Sequence, residues 1–178
     1  MRKQHLSLAV RNSCLKNKYI FKILYKSQIS DIQLGLVLTK AVYAERVFMK
    51  YLFNDGGRKA AGYKGSAGDC GARAMAIALN LDYQAVYKEL AQANANVGKS
   101  KSARNGIGKD IYTDVLKKHG WVWKSAPKFD GRKARCSDMP SGVVIAHQAH
   151  HFVAVIDGVA NDIFDCTHRM VYGYWAKA

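Results

Sequence analysis

The last quarter of the chain constrains the fold most. From Gly142 onward four β-prone segments follow at short intervals: Val143 to His147, Phe152 to Ile156, Val159 to Cys166 and Met170 to Trp175. Branched and aromatic residues suit a pleated, half-buried surface. Asp157-Gly158, between the second and third, is a strong hairpin signal because both residues tolerate positive φ. The stretch before Gly142 reads differently. Ala72, Ala74, Met75, Ala76, Ala78 and Leu79 are good helix formers, giving a helix from Cys70 to Asn80. Asp82 caps a second helix, Tyr83 to Ala93, with Val86, Leu90 and Ala93 on one face. Asp110 to His119 is a third, closed by Gly120. Trp121 to Lys124 is a short strand. Helices first and antiparallel strands afterwards predict an α+β domain.

The 178 residues suffice for one domain with an appendage. Residues 1–48 carry nine Lys or Arg against two acids, Asp31 and Glu45, so they read as a basic extension with helical stretches at Tyr19 to Tyr25 and Ile32 to Phe48. The domain proper is expected over 49–178, with Met49 as an alternative start. The apolar run Ile32 to Tyr43 is broken by Gln33, Thr39 and Lys40 and is too short to span a bilayer. Cys14, Cys70, Cys136 and Cys166 stand far apart with no CxxC pair, which argues for reduced thiols and a cytoplasmic location. His147, His150 or His151 with Cys166 matches no standard zinc spacing, so neither a metal nor a cofactor is expected.

A net charge of +15 predicts attraction to polyanions. Residues 99–135 hold eleven Lys or Arg against three acids, with Trp121, Trp123 and Phe129 among them. Basic loops with aromatic residues can bind single strands, so Lys99, Lys101, Arg104 and Lys109 are nucleic-acid candidates. The alternation Trp121-Val122-Trp123-Lys124 fits half-buried packing better, and no zinc-finger, RNP or helix-turn-helix signature accompanies the charge.

The chemistry concentrates at "GDCGARAMAIAL", where Cys70 falls at a helix N-terminus. Free N–H groups and the positive end of the helix dipole favour a thiolate there. "HHFVAVIDG" places His151 at the start of an apolar strand, on the face it shares with Val153 and Val155. At a sheet end such a ring can accept the thiol proton; His150 is the alternative. Pairing across the Asp157-Gly158 turn brings Asp162 or Asp165 to the histidine, where a carboxylate would fix the tautomer.

Helix first, hairpin last and the order Cys, His, Asp resemble the papain-like cysteine peptidase superfamily, including the peptidases of bacteriocin-exporting transporters. "MKYLFNDGGRKAAGYKGSAGDC", "SARNGIGKDIYTDVLKKHGWVW", "HFVAVIDGVANDIFD" and "VYGYW" are more closely similar to a set of uncharacterised bacterial and phage proteins of that type, over about residues 49–178. The resemblance implies a nucleophile helix packed on a C-terminal antiparallel sheet. It implies a Cys70–His151–Asp165 triad, because the third member ends the second strand in that pattern. It also implies hydrolysis or transfer of an amide, isopeptide or thioester acyl group, with a peptide or protein substrate. The alternative is a non-catalytic basic module of the same fold that binds nucleic acid or an acidic protein. The superfamily places a Gln upstream of the cysteine as oxyanion donor. No Gln lies between Met49 and Cys70, and Lys64, Asn54 and Ser66 are the candidates in its place. Asp69, beside Cys70, is expected to raise the thiol pKa.

Overall fold

The small side chains that make Cys70–Leu79 a helix also let it lie close to a sheet. This helix, α1, buries Ala72, Ala74, Met75 and Ala76. Asn80 ends it in the left-handed conformation at φ 52°. Asp82 then caps α2 (Tyr83–Asn96) by accepting from the Ala85 N–H at 2.8 Å. The third helix, α3 (Lys109–Lys118), stops before Gly120, whose φ of 75° suits glycine.

The computed structural model describes residues 50–178; the basic extension and its two helical stretches lie outside the described residues. The strands are β1 (Tyr51–Phe53), β2 (Trp121–Ser125), β3 (Val143–Gln148), β4 (His151–Ile156), β5 (Val159–Asp162) and β6 (Val171–Lys177). They form one sheet in the order β1-β5-β4-β3-β6-β2. All pairings are antiparallel except β1 with β5, which is parallel. The sheet is therefore mixed, not the antiparallel C-terminal sheet expected. Two of its strands, β1 and β2, precede Gly142 in the chain. Three residues are too few for β1 to show a period of two, so its pairing was not readable.

Alternation along the strands sorts two cores. Ile145, Phe152, Ala154 and Trp175 face the helices, among Met75, Leu90, Tyr112 and Leu116. Val144, Ala146, Val153 and Val155 point the other way, where Ala134, Cys136, Met139 and Cys166 cover them. That second cover is a loop with one 3-10 turn, Cys136–Asp138. No helix among the described residues is long and apolar enough to cross a membrane.

Gly71 sets the seat of α1. A Cβ there would meet the Tyr112 ring at 3.2 Å and the Phe152 ring at 3.3 Å. Those two rings stack at 4.6 Å, and the Tyr112 hydroxyl donates to the Gly71 carbonyl at 2.8 Å. Absence of a side chain after Cys70 thus lets the first turn of the helix rest on β4.

Candidate active site

Helix α1 brings Cys70 to the end of the sheet where β4 begins with His151. Both line a cleft of about 690 Å³. One wall is the segment Asn105–Lys109, and another is the β3–β4 turn with Ala149 and His150. The 99–109 stretch thus walls the cleft through this segment, and the loop before Cys70 contributes Gly68.

The carboxylate behind the ring is Asp162, whose Oδ2 lies 2.5 Å from His151 Nε2. This corrects the assignment to Asp165. β5 ends at Asp162, where the carboxylate also accepts the Ile163 N–H at 2.7 Å. Asp165 is exposed in the turn beyond and accepts from the Thr167 amide and hydroxyl at 2.9 and 2.6 Å. The hairpin register explains the choice. Ile156 pairs with Val159 and Ala154 with Asn161. Continued one step, it sets Asp162 opposite Val153, on the face that His151 shares and diagonal to it. Asp165 would have the wrong parity. His150, the alternative base, is an exposed turn residue at φ 53° on the cleft rim.

A buried ionic chain stands behind the pair. Asp69 accepts from Arg58 Nε at 2.6 Å, from the Tyr83 hydroxyl at 2.5 Å and from Arg73 Nη1. Arg73, one turn along α1 from Asp69 and almost fully buried, reaches Asp162 Oδ1 through Nη2 at 3.5 Å. The carboxylate before Cys70 is thus paired with two guanidiniums, and the expected upward push on the thiol does not arise. Sequence reasoning missed Arg73, though its spacing of four from Asp69 is the ion-pair spacing of a helix.

The titration of the two partners is linked. Burial raises the Cys70 thiol, but hydrogen bonding to His151, the charge of that ring, the Phe152 backbone and Arg73 outweigh it and bring it below its ordinary 9.0. Burial lowers His151, but hydrogen bonds to Asp162, Cys166 and Cys70 raise it to about 11. The direction for both is toward a thiolate beside an imidazolium.

Two buried cysteines lie close behind the site, and Cys166 is the one near the ring. Cys136 and Cys166 are fully buried, and the Gln148 amide spans them, 3.4 Å from Cys136 Sγ and 3.0 Å from the Cys166 carbonyl. Cys166 is pushed up by its hydrogen bond to Cys136 and by burial, and keeps its proton. Donor atoms of His151, Asp162 and Cys166 lie within 4.8 Å of one another. Arg73 already places a positive charge on Asp162 there, so the cluster is balanced around a guanidinium and a proton.

None of the proposed oxyanion donors lines the cleft. Asn54 donates its amide to Asn161 at 3.4 Å. Lys64 and Ser66 line a different concavity with Arg58 and Tyr63. The first hydrogen bond of α1 runs from the Arg73 N–H to the Asp69 carbonyl, and the Asp69 side chain makes no cap. The N–H groups of Cys70, Gly71 and Ala72 therefore have no acceptor within the helix. Two side-chain amides line the cleft, Asn105 and Gln148, and that of Gln148 is spent on Cys136 and Cys166. Gly68 packs against the backbone of this wall, where a Cβ would lie 3.4 Å from the Asn105 carbonyl carbon.

Of the nucleic-acid candidates, Lys99 and Lys101 are exposed, and Arg104 donates to the Ser66 carbonyl at 2.9 Å. Lys109 holds its Nζ 3.7 Å from the centre of the Trp123 ring. Trp121 is buried in the helix-side core and is not a stacking surface. Comparison of the chain with protein-family models, with curated proteins and with solved structures finds no match.

Proposed function

We propose that the domain is a papain-like thiol hydrolase or acyltransferase acting through Cys70, His151 and Asp162. One observation carries the reading: a helix-terminal cysteine and a carboxylate-backed histidine share an open cleft. The Cys70 thiolate attacks the carbonyl carbon of an amide, isopeptide or thioester. The oxyanion that forms lies against the free N–H groups at the start of α1, with the Asn105 amide as second donor. His151 gives its proton to the leaving group as the C–N or C–S bond breaks, leaving an acyl-thioester on Cys70. Water or an acceptor amine, deprotonated by His151, then attacks the thioester and releases the thiolate. Asp162 keeps Nε2 occupied, so that Nδ1 is the nitrogen presented to sulfur.

The test has two stages. Iodoacetamide labelling of Cys70, followed by peptide mass spectrometry, should be faster than for an unperturbed thiol and should collapse in His151→Ala. Electrophilic peptide, ubiquitin-type and glutamine-mimic probes should then label wild type and spare Cys70→Ser. Equal labelling of wild type and His151→Ala overturns the reading. So does a folded protein that no probe modifies; salt-steep retention on DNA, unaffected by Cys70→Ala, would then mark a binding module.

A further inference from the structure

The cleft has a one-sided charge. None of the fourteen residues lining it is Asp or Glu, and its ionisable groups other than Cys70 and Tyr172 are Lys109, His147, His150 and His151. The acids nearest in sequence are spent elsewhere: Asp69 on Arg58 and Arg73, Asp162 on His151 and Arg73. Asp110, next to Lys109 on α3, is exposed and does not line the cleft. Lys109 is held by its contact over Trp123. Lys99 adds a second ammonium to this wall, its Nζ 3.6 Å from where a Cβ of Gly108 would stand. The field reaches inward, since the charges of Lys109 and His150 add to burial in lowering His147. A thiolate–imidazolium pair is neutral as a unit and does not cancel it.

We propose that the cleft selects acyl substrates carrying negative charge beside the reacting carbonyl, an acidic peptide segment, and that Lys109 is the residue that reads it. The basic 99–109 segment then serves substrate choice at the cysteine. The inference rests on Cys70 being the reactive group.

Two small electrophiles isolate the charge. Iodoacetate and iodoacetamide transfer a carbon to sulfur with loss of the same iodide, and differ in carrying an anion or a neutral amide. Their rates on Cys70 of the full chain, read on the Cys70 peptide, are compared with those on N-acetylcysteinamide. The iodoacetate-to-iodoacetamide ratio should exceed that of the small thiol by about threefold at low salt and fall toward it as salt screens the charge. Lys109→Gln should remove most of the excess, and Lys109→Arg should keep it. A ratio at or below that of the small thiol, or one unchanged in Lys109→Gln, overturns the proposal. If Lys109→Gln weakens DNA retention while the ratio stays fixed, the lysine reads nucleic acid and the proposal is equally lost. Failure of both reagents to prefer Cys70 in wild type over His151→Ala is a separate result. It removes the assigned reactivity, and the substrate inference falls with it.

Discussion

Asp162 stands diagonally across the β4–β5 hairpin from His151 and meets its Nε2 at 2.5 Å. Asp162→Asn should therefore slow Cys70 alkylation by about tenfold or more, since an amide can present the ring nitrogen wrongly and stabilises the imidazolium less. Asp165→Asn, at an exposed turn, should leave the rate and stability within about 0.5 kcal/mol of wild type. Site-resolved alkylation of the two variants makes the comparison. Equal effects would show that the hairpin contact does not orient the base.

The thiol should titrate low. Below its folded pKa Cys70 is neutral and slow; above it the thiolate reacts. The alkylation rate should show its inflection below the ordinary 9.0 of a cysteine. His151→Ala removes the ring and its positive charge, leaving burial opposed only by the Phe152 backbone and Arg73, so the inflection should move up. An inflection at the ordinary value in wild type contradicts the pairing.

Stability carries the opposite mark of the same pair. His151 is raised from 6.5 to about 11 in the folded state. A base held above its unfolded value contributes stability in full below 6.5, and the contribution is lost as pH rises toward 11. The melting temperature of wild type should fall across that interval by more than that of His151→Ala, which has no such proton to lose. Parallel curves would show that the ring is not held protonated.

Arg73 joins Asp69 to Asp162 in the interior. Arg73→Met leaves two buried carboxylates short of a partner and should cost about 3–5 kcal/mol in denaturant unfolding. Adding Asp69→Asn should return part of that loss. Arg73→Lys keeps a charge but not the planar fork that reaches both carboxylates, so it should fall between. A loss under about 1 kcal/mol for Arg73→Met would remove the chain as a structural element.

Gly71 offers a packing test. A side chain there must displace the Tyr112 and Phe152 rings. Gly71→Val should destabilise by about 1–3 kcal/mol, read as a lower thermal midpoint. It should also slow Cys70 alkylation, because the thiol moves with the first turn. A stable Gly71→Val with unchanged reactivity would show that α1 shifts freely.

Much of this was legible in the sequence, and for a physical reason. Helix formers and caps act locally, so α1, α2 and α3 could be placed from Ala72, Asp82 and Gly120. Cys70 and His151 stood out because each begins an element, where polar chemistry meets an apolar pattern. Asp162 was in reach as well. The register of the Asp157-Gly158 turn sets it across from Val153, whereas the position of the strand end pointed to Asp165. Long-range partners were not readable. Nothing local in Tyr51-Leu52-Phe53 says that it lies along β5, and nothing near Arg73 says that Asp162 awaits it. The oxyanion candidates Lys64, Asn54 and Ser66 all lie upstream of Cys70 in sequence, whereas the side-chain amide on the cleft wall comes from Asn105, across a loop.

The sheet order has a mechanical consequence. β4 lies inside the sheet, paired on one side with β3 and on the other with β5. Its amides should exchange with solvent only when the whole domain opens, whereas the backbone from Asn105 to Gly108 lies outside helix and strand and should exchange sooner. His151 thus begins a strand paired on both edges, while the facing wall is a loop whose Ile107 is anchored in the helix-side core. If the proposed chemistry holds, bulky substrates would be admitted by yielding of that loop, with the imidazole keeping its place throughout.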